Sequence, residues 1–167
     1  VGVSNFCPRT LDCLLAKARI TPAVNQVKYH VGIDGSDPGG IKAYCDAKGI
    51  KLQAYSPLGG GGKAHSSELI TGELASKIAK RHQGRSGAAI ALRWVVQNGV
   101  PLSTKSGSLA HLREAIETFD FTLSPADMAL LNDFKITPGE SYSFTCDCAA
   151  TGTCSMYPES SPLSPFT

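Results

Sequence analysis

Four times before residue 107 the chain sets a short apolar run against a helix-period stretch, and each run carries polar residues toward its end. "VGVSNF" closes on Ser4 and Asn5, "AVNQVKYH" holds Gln26, "IKLQAYSPL" holds Tyr55 and Ser56, and "VPLSTKS" closes on Lys105 and Ser106. Runs of this length suit buried strands. The stretches between them read as helices. Behind Pro8, which suits a first helical position, Leu11, Leu14, Leu15 and Ala18 form one apolar stripe. "GIKAYCDAKG" closes on Gly49, a left-handed cap, and "GAAIALRWVVQNG" runs from Ser86 as N-cap to Gly99. "ELASKIAKRH" precedes it. "SLAHLREAIE" and "PADMALLNDF" follow, the last with Ser124, Pro125 and Asp127 at N-cap, N1 and N3.

Parallel strands require such crossovers, so the pattern predicts an α/β fold whose helices cover a parallel sheet. Four βα units suit either a small doubly wound sheet or half of a (β/α)8 TIM-type barrel, which takes about 250 residues when complete. A doubly wound nucleotide fold should carry a glycine-rich turn after its first strand, and here that turn is "SNFCPR". Polar residues gathered at strand C-termini instead mark the ligand end of a barrel. The expectation is a half-barrel over residues 1–143 and an irregular Cys/Pro/Ser-rich tail over 144–167. Entry on a strand at Val1, without an initiator methionine, adds the expectation that the chain is a fragment.

Composition removes several function classes. With 16 basic against 14 acidic residues and no basic block, nothing favours nucleic acid. No apolar run nears the roughly 18 residues of a membrane span, so a cytoplasmic chain is the expectation. Cys7, Cys13 and Cys45 fall in helix-like segments and are expected as buried thiols. Cys146, Cys148 and Cys154 form C-x-C-x5-C without a fourth ligand nearby, so no metal site is expected. "GGGGK" (Gly59 to Lys63) lacks the spacing and the Ser or Thr of a phosphate-binding P-loop, leaving a pliable cofactor lid or a plain surface loop.

Taken in order and spacing, "VGVSNF", "PAVNQVKYH", "AYSPLG" and "ALRWVVQNGVPLSTKS" resemble the second half of an aldo-keto reductase, over about residues 1 to 134. The resemblance implies barrel strands five to eight and NADP(H)-dependent reduction of aldehydes or ketones to alcohols. It implies that Ser4, Asn5 and Gln26 hydrogen-bond the nicotinamide carboxamide and that Tyr55 stacks on the ring. Ser56, Pro57, Leu58 and Gly59 would begin the loop over the pyrophosphate. Lys105, Ser106, Ser108 and His111 would meet the ribose 2′-phosphate, and Glu114 the adenine amino group. Two departures stand out: His111 replaces a usual arginine and Ala115 a common asparagine, which brings NAD(H) in as the alternative cofactor. His30, followed by Val31 where the family commonly has proline, is read as loop support.

The family's acid–base set of Tyr, Lys, Asp and His belongs to the first half of the barrel, so the resemblance implies no catalytic residue in this chain and no activity alone. A small carbonyl compound would be the substrate of the complete protein, and the partner a missing N-terminal half-barrel or a second copy. The alternative is a noncatalytic half-barrel that binds a dinucleotide or a protein partner.

Overall fold

The computed structural model describes residues 1–33, 35–59 and 69–135, together with the backbone of Asp147–Cys148 and Cys154–Ser155. Strands β1 (Gly2–Ser4), β2 (Val24–Lys28) and β3 (Lys51–Tyr55) form a parallel sheet in chain order. The register pairs Ser4 with Gln26, Gln26 with Gln53 and Lys28 with Tyr55.

The fourth apolar run does not form a strand. It reaches the sheet at one parallel bridge between Leu102 and Ala54, where Ala54 N–H donates to Pro101 O at 2.8 Å and Ser103 N–H to Ala54 O at 2.9 Å. Pro101 has no N–H to offer, so the ladder is short of a donor as it starts.

Helices α1 (Pro8–Leu15), α2 (Ile41–Ala47), α3 (Glu73–Arg81), α4 (Gly87–Gln97), α5 (Leu109–Ile116) and α6 (Pro125–Asp133) lie between and after the strands. Their ends follow the sequence signals: Pro8 and Pro125 open α1 and α6, and the hydroxyls of Ser86, Ser108 and Ser124 accept the N–H of the third helical residue. Gly49 and Gly99 are left-handed as expected. Helix α1 stops at Leu15, short of Ala18, and its cap is Cys7, whose Sγ accepts from Thr10 N–H at 3.4 Å. Cys7 is buried but disulfide-bonded, whereas Cys13 and Cys45 are in no disulfide, and of these Cys45 is buried as expected while Cys13, on α1, is only half-buried.

The sheet packs one face only. Asn25, Val27, Leu52 and Ala54, alternating along β2 and β3, are buried beneath the helices, while the residues between them are exposed or half-buried. Just past β2, Tyr29 stacks on Trp94 with ring centroids 5.2 Å apart, and both are fully buried. Their polar tips are satisfied, the Tyr29 hydroxyl donating to Ser36 O at 2.6 Å and the Trp94 indole to Asn132 Oδ1 at 2.8 Å. Burial, helped by the charge of Asp37, pushes the Tyr29 hydroxyl well above its ordinary pKa.

A buried carboxylate joins α3 to α6. Asp127 accepts from Arg81 at 2.6 Å, lies 3.0 Å from His82 Nε2 and accepts from the Ser124 hydroxyl at 2.8 Å. Burial alone would raise its pKa, but the bonds from His82 and Ser124 and the charge of Arg81 outweigh that and hold it below the ordinary value.

Beyond residue 135, Asp147–Cys148 and Cys154–Ser155 pair as antiparallel two-residue strands β4 and β5 beside α1. The rest of the expected irregular tail lies outside the described residues, as do the side chains of Cys146, Cys148 and Cys154. Among the described residues no helix is long and apolar enough to cross a membrane.

Candidate functional site

The open face of the sheet presents a polar row that runs from the C-terminal residue of β1 across the middle of β2 and β3. Because side chains alternate along a strand, residues paired across the register share a face. Ser4, Gln26 and Gln53 therefore line up across β1, β2 and β3, with Lys28 and Tyr55 paired one step farther along. Gln26 Nε2 donates to Gln53 Oε1 at 2.9 Å, fixing both amides. Ser4 Oγ donates to Gln26 O at 3.0 Å, and Asn5 N–H donates to the same oxygen at 2.9 Å.

Both outer strands leave the sheet through a left-handed residue. Asn5 after β1 has φ 58° and Ser56 after β3 has φ 49°. Non-glycine residues seldom adopt this region, asparagine more readily than most, and such backbone concentrates where a site is being shaped. From Ser56 the chain turns through buried Pro57 to Gly59, whose N–H donates to Ser56 O at 2.9 Å.

A second group of expected residues lines a cavity of about 180 Å³ walled by Leu58, Leu92, Lys105, Ser106, His111 and Glu114 among others. The N-cap serines of α4 and α5 both stand at or beside it, so two electropositive helix ends are close by. Ser106 Oγ organises the loop, accepting from Ser108 N–H at 3.0 Å and lying 3.4 Å from His111 Nδ1. Glu114 Oε1 accepts from Ser86 N–H at 3.2 Å, anchoring the carboxylate on the wall between the helices. Lys105 is exposed and makes no ion pair among the described residues, which leaves its cation available to a ligand. Gly87 in the first turn of α4 is required here, because a Cβ would overlap the carbonyl oxygen of Ile70, another lining residue.

Of the residues expected from the sequence, Ser4, Asn5, Gln26 and Tyr55 come together at the sheet, and Leu58, Lys105, Ser106, His111 and Glu114 come together at the cavity. Residues 55–58 join the two groups, and Ser108 acts through its cap rather than as a wall. The glycine run from Gly60 to Lys63 lies outside the described residues. Gln53 was missed, although its place two residues before Tyr55 in "LQAY" puts it on the same face by alternation alone.

The chemistry of the two groups is complementary. The sheet row offers amides and hydroxyls on rigid strands with an aromatic ring beside them, suited to a flat polar group. The cavity offers an uncommitted cation and helix N-termini, suited to a phosphate, with apolar walls for an attached ring.

Comparison with known proteins gives a family and a neighbourhood. The model of the Aldo/keto reductase family matches residues 1–136. An uncharacterized oxidoreductase of Caenorhabditis elegans is 40% identical over 135 residues, which are 81% of this chain and 39% of that protein. Aldo-keto reductase family 1 member A1 of Rattus norvegicus is 38% identical over 136 residues, 79% of this chain and 41% of its own length. Among solved structures, an aldo-keto reductase from a Medee basin deep-sea metagenome library superposes with a TM-score of 0.71 at 33% identity, covering 80% of this chain and 47% of that one. The chain thus spans about two fifths of the length of the curated relatives it matches.

Proposed function

Because the chain belongs to the aldo/keto reductase family, we propose that it is the cofactor-gripping half of an oxidoreductase that reduces aldehydes or ketones, with NADP(H) as cofactor and NAD(H) as the weaker alternative. The observation that carries this reading is the register that sets Ser4, the last residue of β1, in one row with Gln26 in the middle of β2, with Tyr55, the last residue of β3, on the same open face. Ser4, Asn5 and Gln26 would orient the carboxamide of the nicotinamide, and fixed orientation is what turns contact into rate. Tyr55 would cover one face of the ring. Ser56 to Gly59 would run beside the pyrophosphate, Lys105, Ser106, Ser108 and His111 would receive the 2′-phosphate, and Glu114 the adenine amino group. When bound, the dinucleotide supplies the hydride.

No residue of this chain is assigned the proton transfer. We place the acid–base set in the part of the family barrel that this chain does not span, and propose a complementary half-barrel as its partner, the two meeting in the cytoplasm. The exposure of Leu109 (63%), Ile116 (72%) and Phe119 (68%) on and after α5 supports such a partner, since large apolar side chains left in water favour being covered.

Calorimetric titration of the purified chain with NADP+ and NAD+ tests the first part. Saturable binding, tighter for NADP+, is expected. The second part is tested by assaying a reactive aldehyde with the chain alone and co-expressed with an N-terminal half-barrel from a relative. No turnover alone and turnover after co-expression are expected. Absence of binding to either dinucleotide refutes the reading, and turnover by the chain alone refutes the division of labour. Binding without turnover even after co-expression would favour a noncatalytic dinucleotide-binding half-barrel.

A further inference from the structure

We infer that Asn25 is a positioning residue for the nicotinamide end of the site, acting from behind the sheet by clamping the backbone that holds Asn5. This rests on the dinucleotide reading above. Asn25 and Gln26 are neighbours on β2, so their side chains point to opposite faces of the sheet. Gln26 joins the open row, whereas Asn25 is fully buried on the helix side.

There the Asn25 amide does what a strand would otherwise do. Its Nδ2 donates to Phe6 O at 2.6 Å and its Oδ1 accepts from Phe6 N–H at 3.3 Å, so both backbone groups of one residue are satisfied by one side chain. The ladder between β1 and β2 has ended just before, with Asn5 N–H on Gln26 O at 2.9 Å. Asn5 is therefore gripped on both sides, by the last ladder bond through its own amide and by Asn25 through the next residue. Between these grips its backbone takes φ 58°. A left-handed asparagine costs conformational energy and persists only where the surroundings over-determine it. Remove the Asn25 amide and Phe6 loses two part-buried bonds. Asn5 can then relax toward an ordinary extended or helical backbone, which re-aims its side chain.

The cavity at Lys105, His111 and Glu114 is built by α4, α5, the loop before α5, Leu58 beyond β3 and Ile70 before α3, none of which carries the clamp. The effect should therefore be confined to one end of the ligand. The test is calorimetric titration of the wild-type chain and Asn25→Leu, which keeps the branched shape with bulkier methyls and removes both bonds to Phe6 together with the longer one to Cys45 Sγ, with NADP+ and with 2′-phospho-ADP-ribose, the same molecule without nicotinamide. NADP+ affinity should fall about tenfold, the equivalent of one to two hydrogen bonds, while affinity for the fragment stays within about twofold. In an Asn5→Ala background, Asn25→Leu should add little further loss, because the two act as one unit.

Equal losses for both ligands would mean that Asn25 only supports the fold, and no loss for NADP+ would mean that it positions nothing. Either overturns the inference. Wild-type chain that binds neither ligand would overturn the dinucleotide reading itself and the inference with it. Should Asn25→Leu fail to fold, Asn25→Ala, which leaves room for water beside Phe6, is compared in the same way.

Discussion

The two faces of the sheet use the same strands for opposite purposes. On the helix face, Val27, Leu52 and Ala54 are buried and continuous with Tyr29 and Trp94. On the open face, one residue along, Ser4, Gln26 and Gln53 offer amides and a hydroxyl. Stability should reside on the first face and recognition on the second, with little overlap except where a polar residue such as Asn25 sits among apolar ones. Alternation at a period of two is what allows one strand to serve both.

Substitutions can break or sharpen that division. The largest effect should come from the helix face. Trp94→Ala removes a fully buried indole, its stack on Tyr29 and its bond to Asn132, and should cost about 3–5 kcal/mol in urea unfolding. A loss under about 1 kcal/mol would show that the helix face is not the seat of stability.

Next is the carboxylate between α3 and α6. Asp127→Ala strands Arg81 and His82, and should cost about 2 kcal/mol, below the roughly 3–5 kcal/mol of a fully buried pair because the Arg81 side chain is 43% exposed. The pH dependence follows from the direction of the shift. The folded-state pKa lies below the unfolded one, so the stabilisation is fully present above the ordinary aspartate pKa of about 3.9 and is lost as pH falls through the folded value. The stability gap between wild type and Asp127→Asn should therefore narrow on acidification from neutrality to about pH 3. A gap that stayed constant across that range would remove the carboxylate's charge from the account.

Effects on binding are expected to be smaller in energy and selective. Lys105→Ala should weaken NADP+ by about tenfold, near 1.4 kcal/mol, and leave NAD+ nearly unchanged, since the lost cation matters only where a 2′-phosphate is present. Equal weakening of both would place Lys105 elsewhere on the ligand. The smallest change in stability should come from Gln26→Leu, within about 0.5 kcal/mol by thermal unfolding, although it removes a proposed carboxamide contact. If that substitution unfolds the chain, the open face is also holding the fold together and the division of faces fails.

Much of the local order was legible in the sequence because it depends on few neighbours. Pro8, Ser86, Ser124 and the left-handed Gly49 and Gly99 behave as their positions predict. The expected site residues came from a resemblance, and the register brings three of them, Ser4, Gln26 and Tyr55, onto one face of the sheet, with Asn5 joined to it by its backbone N–H on Gln26 O. What was not legible depends on the third dimension. "VPLSTKS" has a strand's composition, yet Pro101 and the sheet edge reduce it to a bridge at Leu102. The role of Asn25 was hidden because its partner, Phe6, is 19 residues away and contributes only backbone. Asp127 reads as a helix-start acid, while its partners Arg81, the last residue of α3, and His82, its C-cap, carry no local sign of the pairing.

The bond between Gln26 and Gln53 sets a condition on any visitor to the open face. A primary amide has two donor hydrogens and an acceptor oxygen, and here one hydrogen of Gln26 is already committed to its neighbour. An arriving carboxamide can therefore be admitted as a third member of an existing chain of amides, each member polarising the next. A guest bearing only a hydrocarbon rim would have nothing to exchange for the water it evicted from that chain, so discrimination at this face operates through solvent as much as through shape.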